Sequence, residues 1–270
     1  MTQAASGDII GLVNIMKDGR KMIFSEKYHS RIEDFGRGGL MTPEAVLRVF
    51  ENTGSHHSDS VGDSLISGSA AGIAWIVAEW NVKIHRAPKY GEELIQSTCA
   101  VGLKPAIQNS RKMAIKTASG EVCAEGSAKL VRLDVATGKP VKSTEELIAR
   151  YAPEPENENE QKLPRLVVPK EFDCAQEVLL RRGDIDYNGH VHNANYLTLA
   201  IEALPEALYR EKKIVSYRIS YRLPIKESDK VTVRIAVGEN SVTECFFGSD
   251  GTLKTIVFFE FDRTFLPEEK

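Results

Sequence analysis

The sequence predicts an α+β fold built twice over: two halves of similar order, each an antiparallel sheet wrapped around a single helix. Three observations predict it. Apolar residues alternate in runs of strand length through most of the chain, and one long stretch of helical spacing stands near the front of each half. Between the halves, residues 151–169 (YAPEPENENEQKLPRLVVP) have the composition of a linker. One strand, one long helix and then a run of strands, found twice, reads as a tandem duplication. The expected organisation is a first domain over 1–150, a linker over 151–170 and a second domain over 171–270.

In the first half a strand is expected over Phe24 to Ser30, followed by a Gly-rich turn from Asp34 to Gly39. Thr42-Pro43-Glu44 reads as N-cap, first helical residue and favourable N-terminal charge. The helix that starts there buries Val46, Val49, Phe50 and Thr53 and ends around Gly54 to His57. Strands are then expected near 73–84, 92–101, 106–117 and 121–133. In the first of these Ile76, Ala78, Trp80, Val82 and Ile84 alternate with more polar positions. Trp75 and Trp80 stand an odd number of residues apart, which puts them on opposite faces of that strand. Ser143-Thr-Glu-Glu146 has capping-box spacing and starts a short helix. The second half repeats the order: a strand near 174–181, a turn over 183–190, a helix from about Asn193 to Tyr209 that Pro205 kinks or restarts, and strands near 214–221, 230–237, 242–247 and 253–261.

With 270 residues, 42% hydrophobic and 27% charged, the chain has the composition of a folded soluble protein. A net charge of -3 argues against nucleic acid or anionic membrane as a general partner. Cys99, Cys123, Cys174 and Cys245 are widely spaced and read as reduced, buried small hydrophobes. The N-terminus lacks the pattern of a signal peptide, and no run approaches the roughly 18 apolar residues of a membrane span. A cytoplasmic location is the expectation.

The chemistry concentrates in Asp184-Ile-Asp186-Tyr-Asn188-Gly-His190-Val-His192-Asn193-Ala-Asn195-Tyr196, a turn that feeds a helix N-terminus. Free N–H groups there favour negative charge, so an oxyanion can form beside a base in this segment. Laid against this segment, Asp34-Phe-Gly36-Arg-Gly38 matches Asp186 to His190, so the first half keeps the Asp and loses the amide and imidazole. Asp184-x-Asp186-x-Asn188-Gly189 also opens like a calcium loop, but its twelfth position is Asn195 rather than Glu. His190 and His192 form an HxH pair without a third metal ligand nearby in sequence. His56-His57 is expected to be a polar helix end at a cleft rim.

The pattern D-x-D-x-N-x-H-V-x-N-x-x-Y over residues 184–196 resembles the active-site segment of the acyl-(acyl carrier protein) thioesterases of plants and bacteria. Phe24-Ser-Glu, Gly54-Ser-His-His57 with Val61-Gly62, the strand from Ala74-Trp75 to Ile84, and Tyr90-Gly-Glu-Glu93 carry the likeness through the first half. The resemblance implies two tandem hot-dog domains, the first shaping an acyl pocket and the second catalytic. It places the catalytic Asp, Asn and His on Asp186, Asn188 and His190, with no cofactor. Two positions depart from the pattern: Pro224 stands where the family has a Glu on the strand after the helix, with Glu227 close behind it, and His192 stands for an Asn. The implied reaction releases free fatty acid from acyl carrier protein. Coenzyme A thioesters, or acyl binding without turnover, are the alternatives, and either a monomer or a homodimer satisfies the fold. An acidic carrier calls for a basic docking face, for which Arg181-Arg182, Lys212-Lys213 and Lys104 with Arg111-Lys112 are the candidates.

Overall fold

The computed structural model describes residues 13–15, 22–102, 107–155 and 163–262. The first half comprises β1 (Val13–Ile15), β2 (Met22–Lys27), helix α1 (Pro43–Ser60), the short helix α2 (Leu65–Ala70), β3 (Ile73–Ile84), β4 (Leu94–Val101), β5 (Gln108–Thr117), β6 (Val122–Asp134) and helix α3 (Glu145–Tyr151). The second comprises β7 (Cys174–Val178), helices α4 (Asn193–Ala203) and α5 (Glu206–Glu211), and β8 (Ile214–Tyr221), β9 (Val231–Val237), β10 (Ser241–Gly248) and β11 (Leu253–Phe261). All strands join one antiparallel sheet in the order β1-β2-β4-β5-β6-β3-β8-β11-β10-β9-β7. Leaving β1 aside, both halves follow one plan: in each, the first and second strands in sequence are the outermost of the five, with the remaining three between them. This is the hot-dog arrangement, present twice.

The halves meet where β3 pairs with β8, Trp80 opposite Ile219 and Val82 opposite Tyr217. On the inner face α1 and α4 pack against each other and share one hydrophobic core, to which Phe50, Trp80, Leu197, Tyr217 and Phe246 contribute fully or almost fully buried side chains. Arg218 and Arg222 hydrogen-bond the carbonyls of Pro164 and Leu166, so the end of the linker is tied to β8.

Local chemistry accounts for the elements. Thr42 caps α1 through Ala45 N–H, Pro43 occupies its first position, and Val46, Val49, Phe50 and Thr53 are buried as their spacing requires. The helix runs on past Gly54 to Ser60, because a single Gly costs less than the packing on both sides of it contributes. Pro205 ends α4 and caps α5, as its missing N–H and ring dictate.

β3 departs from simple alternation. A bulge between Val77 and Glu79 inserts one residue, so Trp75 opposes Arg132 while Trp80 opposes Ala128. Arg132 and Ala128 are four residues apart on the regular strand β6, which places both tryptophans on the same, helix-facing side. The opposite-face expectation fails for that reason. Ile76 is turned outward and is 43% exposed. Among the cysteines all four are free, but Cys174 is exposed on the edge strand β7 rather than buried.

Candidate active site

The loop before α4 is built by two carboxylates with different tasks. Asp184 is buried and accepts hydrogen bonds from the Arg181 N–H (2.8 Å), Nε (3.2 Å) and Nη2 (2.8 Å). Burial pushes its carboxyl up, but the Arg181 hydrogen bonds and charge together bring it below the ordinary Asp value. Its backbone carbonyl accepts from His192 N–H and from Asn195 Nδ2, which fastens the loop to the first turn of α4. Asp186 instead folds the tip. Its Oδ1 accepts the N–H groups of Asn188 (2.8 Å) and His190 (3.2 Å), and Oδ2 accepts Asn188 Nδ2 at 3.4 Å. Gly189 completes the turn at φ +75°, a conformation that favours glycine.

Asp186, Asn188 and His190 are therefore brought together, with Asp186 acting on His190 through its backbone. The His190 ring is half-buried and makes no hydrogen bond among the described residues. Its main chain bridges to Lys226, and Val191 N–H donates to Ile225 O, so the segment after β8 lines the other side of the loop. Tyr196 of α4 receives the Ile225 N–H at 2.8 Å, and burial pushes its hydroxyl up to about 12. At the helix start, Ala194 N–H donates to His192 Nδ1 (3.3 Å) and Asn195 N–H to His192 O. The Asn193 N–H has no acceptor among the described residues and stands at the positive end of the helix.

The corresponding loop of the first half makes the same hydrogen bonds 150 residues earlier. Gly36 N–H bonds Leu40 O as Asp186 N–H bonds His190 O, and Thr42 N–H bonds Asp34 O as His192 N–H bonds Asp184 O. This corrects the alignment drawn from sequence by two residues. Asp34 is the partner of Asp184, and Gly36, Gly38 and Leu40 take the places of Asp186, Asn188 and His190. Asp34 has its own structural task, accepting the Tyr28 hydroxyl (2.6 Å) and pairing with Arg48 (3.4 Å). The first half has lost all three groups.

Other expectations change as well. His57 lies fully buried inside the first half instead of at a rim: Phe24 stacks on it, Arg111 Nη1 lies 2.9 Å from its Nδ1, and burial followed by the Arg111 charge lowers its pKa to about 3. His56 is exposed and pairs with Glu26. Arg111 is buried with His57 and Ser58 and cannot serve a docking face; Lys104 lies outside the described residues. After β8, Pro224 is exposed and Ile225 is the side chain turned inward, while Glu227 points to solvent. The carboxyl that does approach the start of α4 belongs to Glu51 of α1, whose Oε2 is 3.8 Å from His192 Nδ1. Glu51 has no signal in the sequence, because one residue past Phe50 it reads as solvent-facing; it is enclosed where α1 packs against α4 and the tyrosines of β8.

Comparison with known proteins agrees with this architecture. A family profile described as the acyl-ACP thioesterase N-terminal domain matches residues 21–151, and one described as the C-terminal domain matches 169–251. An oleoyl-acyl carrier protein thioesterase of Arabidopsis thaliana is 23% identical over 247 residues, covering 84% of this chain and 67% of that protein. The 12:0-ACP thioesterase from Umbellularia californica superposes with a TM-score of 0.76 at 19% identity, over 89% of this chain and 97% of that one. An acyl-ACP thioesterase from Bacteroides thetaiotaomicron gives 0.77 at 16% identity, over 89% and 98%. Two profiles that together span most of both halves, on a fold shared with these structures, show that the chain belongs to the acyl-ACP thioesterase family.

Proposed function

We propose that the chain hydrolyses fatty acyl thioesters of acyl carrier protein, releasing free fatty acid, at the loop Asp186–His190 and the first turn of α4. The observation that carries the placement is the comparison of the two loops. With the same backbone hydrogen bonds, only the second presents a carboxylate, an amide and an imidazole at its tip.

In this scheme the His190 imidazole takes a proton from water as the water oxygen attacks the thioester carbonyl carbon. Asn188 orients the water or the carbonyl, and the Asn193 N–H faces the oxyanion in the field of the helix start. Asp186 holds the loop so that these groups converge. Arg182 and Lys226 are exposed on either side of the loop, which supports approach by an acidic carrier.

Single Ala replacements of Asp186, Asn188 and His190 test the placement on oleoyl, palmitoyl and dodecanoyl thioesters of acyl carrier protein. Each is expected to reduce kcat by about 10²–10⁴-fold. Wild-type rates in all three variants would remove the site from this loop. The same thioesters on coenzyme A, assayed alongside, distinguish the carrier, and added salt should slow only the carrier-linked reaction.

A further inference from the structure

We infer that Glu51 of the first half and His192 of the second form a carboxyl–imidazole relay that protonates the departing thiol, so that the hydrolytic site is assembled across both halves. The inference rests on hydrolysis at the start of α4. Three features carry it.

First, the segment where a carboxylate is expected supplies none. Ile225 fills the inward position, Glu227 is exposed, and Asp229 is committed to the Lys226 N–H and Lys254 Nζ, both at 3.1 Å. Second, Glu51 is enclosed and makes no side-chain hydrogen bond among the described residues. Its side chain is 16% exposed, and its Oε2 lies 3.8 Å from Nδ1 of His192. Arg48, one turn back, directs its guanidinium to Asp34, and the groups facing Glu51 from β8 are the phenols of Tyr217 and Tyr221. Burial pushes the Glu51 carboxyl up to about 8, with the Arg48 charge pulling it down only in part. A carboxyl in this state carries its proton at neutral pH and can act as an acid. Third, the imidazole is oriented to pass a proton on. Ala194 N–H donates to Nδ1, which assigns the ring hydrogen to Nε2. The side chain is 49% exposed, so the relay leads from an enclosed carboxyl towards the open side of the helix start.

The proton balance closes. The water oxygen bonds to the carbonyl carbon, its proton passes to His190, and the C–S bond breaks. The thiolate takes the Nε2 proton of His192, while Nδ1, released from Ala194, takes the proton of Glu51 after the two groups close from 3.8 Å to hydrogen-bond distance. His190 then returns its proton through solvent to Nε2 of His192, and Nδ1 gives its proton back to Glu51 and again accepts the Ala194 N–H, which restores both groups.

The test compares wild type with Glu51→Gln, His192→Asn and His190→Ala on the acyl carrier thioesters above. Glu51→Gln and His192→Asn are expected to lose about 100-fold in kcat with little change in KM. Wild-type kcat should fall as pH rises through about 8, and this limb should vanish in Glu51→Gln. In NMR titrations the His192 ring protons should report an inflection near 8 that Glu51→Gln abolishes. That measurement needs no turnover and excludes loss of fold as the cause. An inactive His190→Ala beside a Glu51→Gln of wild-type rate, unchanged pH limb and unchanged His192 titration overturns the relay alone. A fully active His190→Ala removes the site from this loop and the relay with it.

Discussion

Replacing Glu244 by Met is expected to stabilise the protein, and by more at pH 7 than at pH 5. Glu244 lies on β10 on the same face as Val242 and Phe246, both of which belong to the shared core, and none of its surface is exposed. Neither carboxyl oxygen has a hydrogen-bond partner among the described residues. Burial pushes its pKa well above the ordinary value of 4.5, so the folded protein holds a proton that the unfolded chain releases as pH rises. The sign follows from linkage: stability is fully present below 4.5 and is lost as pH rises from there towards the folded pKa. The deficit therefore grows as pH rises from 5 to 7, by up to about 1.4 kcal/mol per pH unit. To this is added about 1–3 kcal/mol, independent of pH, for burying an unpaired polar group. Met keeps the unbranched shape while removing both costs. Urea unfolding of both proteins at pH 5, 6 and 7 measures the difference. A gap that stays flat across this range would mean that Glu244 is ionised in the folded state, and would refute the reasoning.

His57 predicts the opposite slope on the acid side. Its pKa is lowered to about 3 by burial and then by the Arg111 charge, so its contribution is present above about 6.5 and is lost as pH falls. Melting temperatures should drop steeply between pH 6 and pH 4, and less so in a His57→Gln variant. Gly189→Ala tests the loop tip: a side chain at φ +75° costs roughly 1–2 kcal/mol and distorts the turn that carries Asn188 and His190. Turnover should fall by at least about tenfold while the melting temperature drops only modestly; unchanged turnover would show that the tip conformation is irrelevant to the chemistry.

Much of the fold is legible because local and tertiary preferences agree. β3, β8 and β11 occupy their expected spans, and Thr42-Pro43 and Pro205 mark the helix boundaries by their backbone chemistry alone. The failures are equally local. An inserted residue at Ala78 reverses the facing of everything before it, and no residue type in Ile76-Val77-Ala78 announces a bulge. In sequence alone Asp34 resembles Asp186, which shifts the halves by two residues. It matches Asp184 in the hydrogen bonds that the backbone requires. His57 and Glu51 were out of reach because burial of a polar helix residue depends on what packs over it. For His57 that is Phe24 and Arg111, and for Glu51 it is a helix some 140 residues distant in sequence. The dense polar segment from Asp184 to Asn195 could be found without its partners, since turn and capping chemistry is local.

Strand β8 provides a way to test whether the start of α4, and not that of α1, takes part in the proposed hydrolysis. Tyr217 donates its hydroxyl to the Pro43 carbonyl (3.1 Å) at the start of α1, and Tyr221 donates to the Asn193 carbonyl (2.9 Å) at the start of α4. One strand thus fixes the heights of both helices relative to the seam between the halves. Each carbonyl sits in a first helical turn, where the helix supplies another donor, so Tyr→Phe at either position should cost about 1 kcal/mol, the worth of one hydrogen bond. The two losses of stability should therefore be nearly equal. Their effects on hydrolysis should differ. Tyr221→Phe frees the first turn that carries His192 and the Asn193 N–H, and small displacements of such groups cost large factors in rate. Tyr217→Phe loosens the helix start that follows Gly36, Gly38 and Leu40 and leaves the first turn of α4 held by Tyr221. Thermal melts paired with kcat on acyl carrier thioesters decide the point. Equal rate losses in the two variants would mean that β8 acts on the chemistry through the fold as a whole, and that the first turn of α4 has no special part in it.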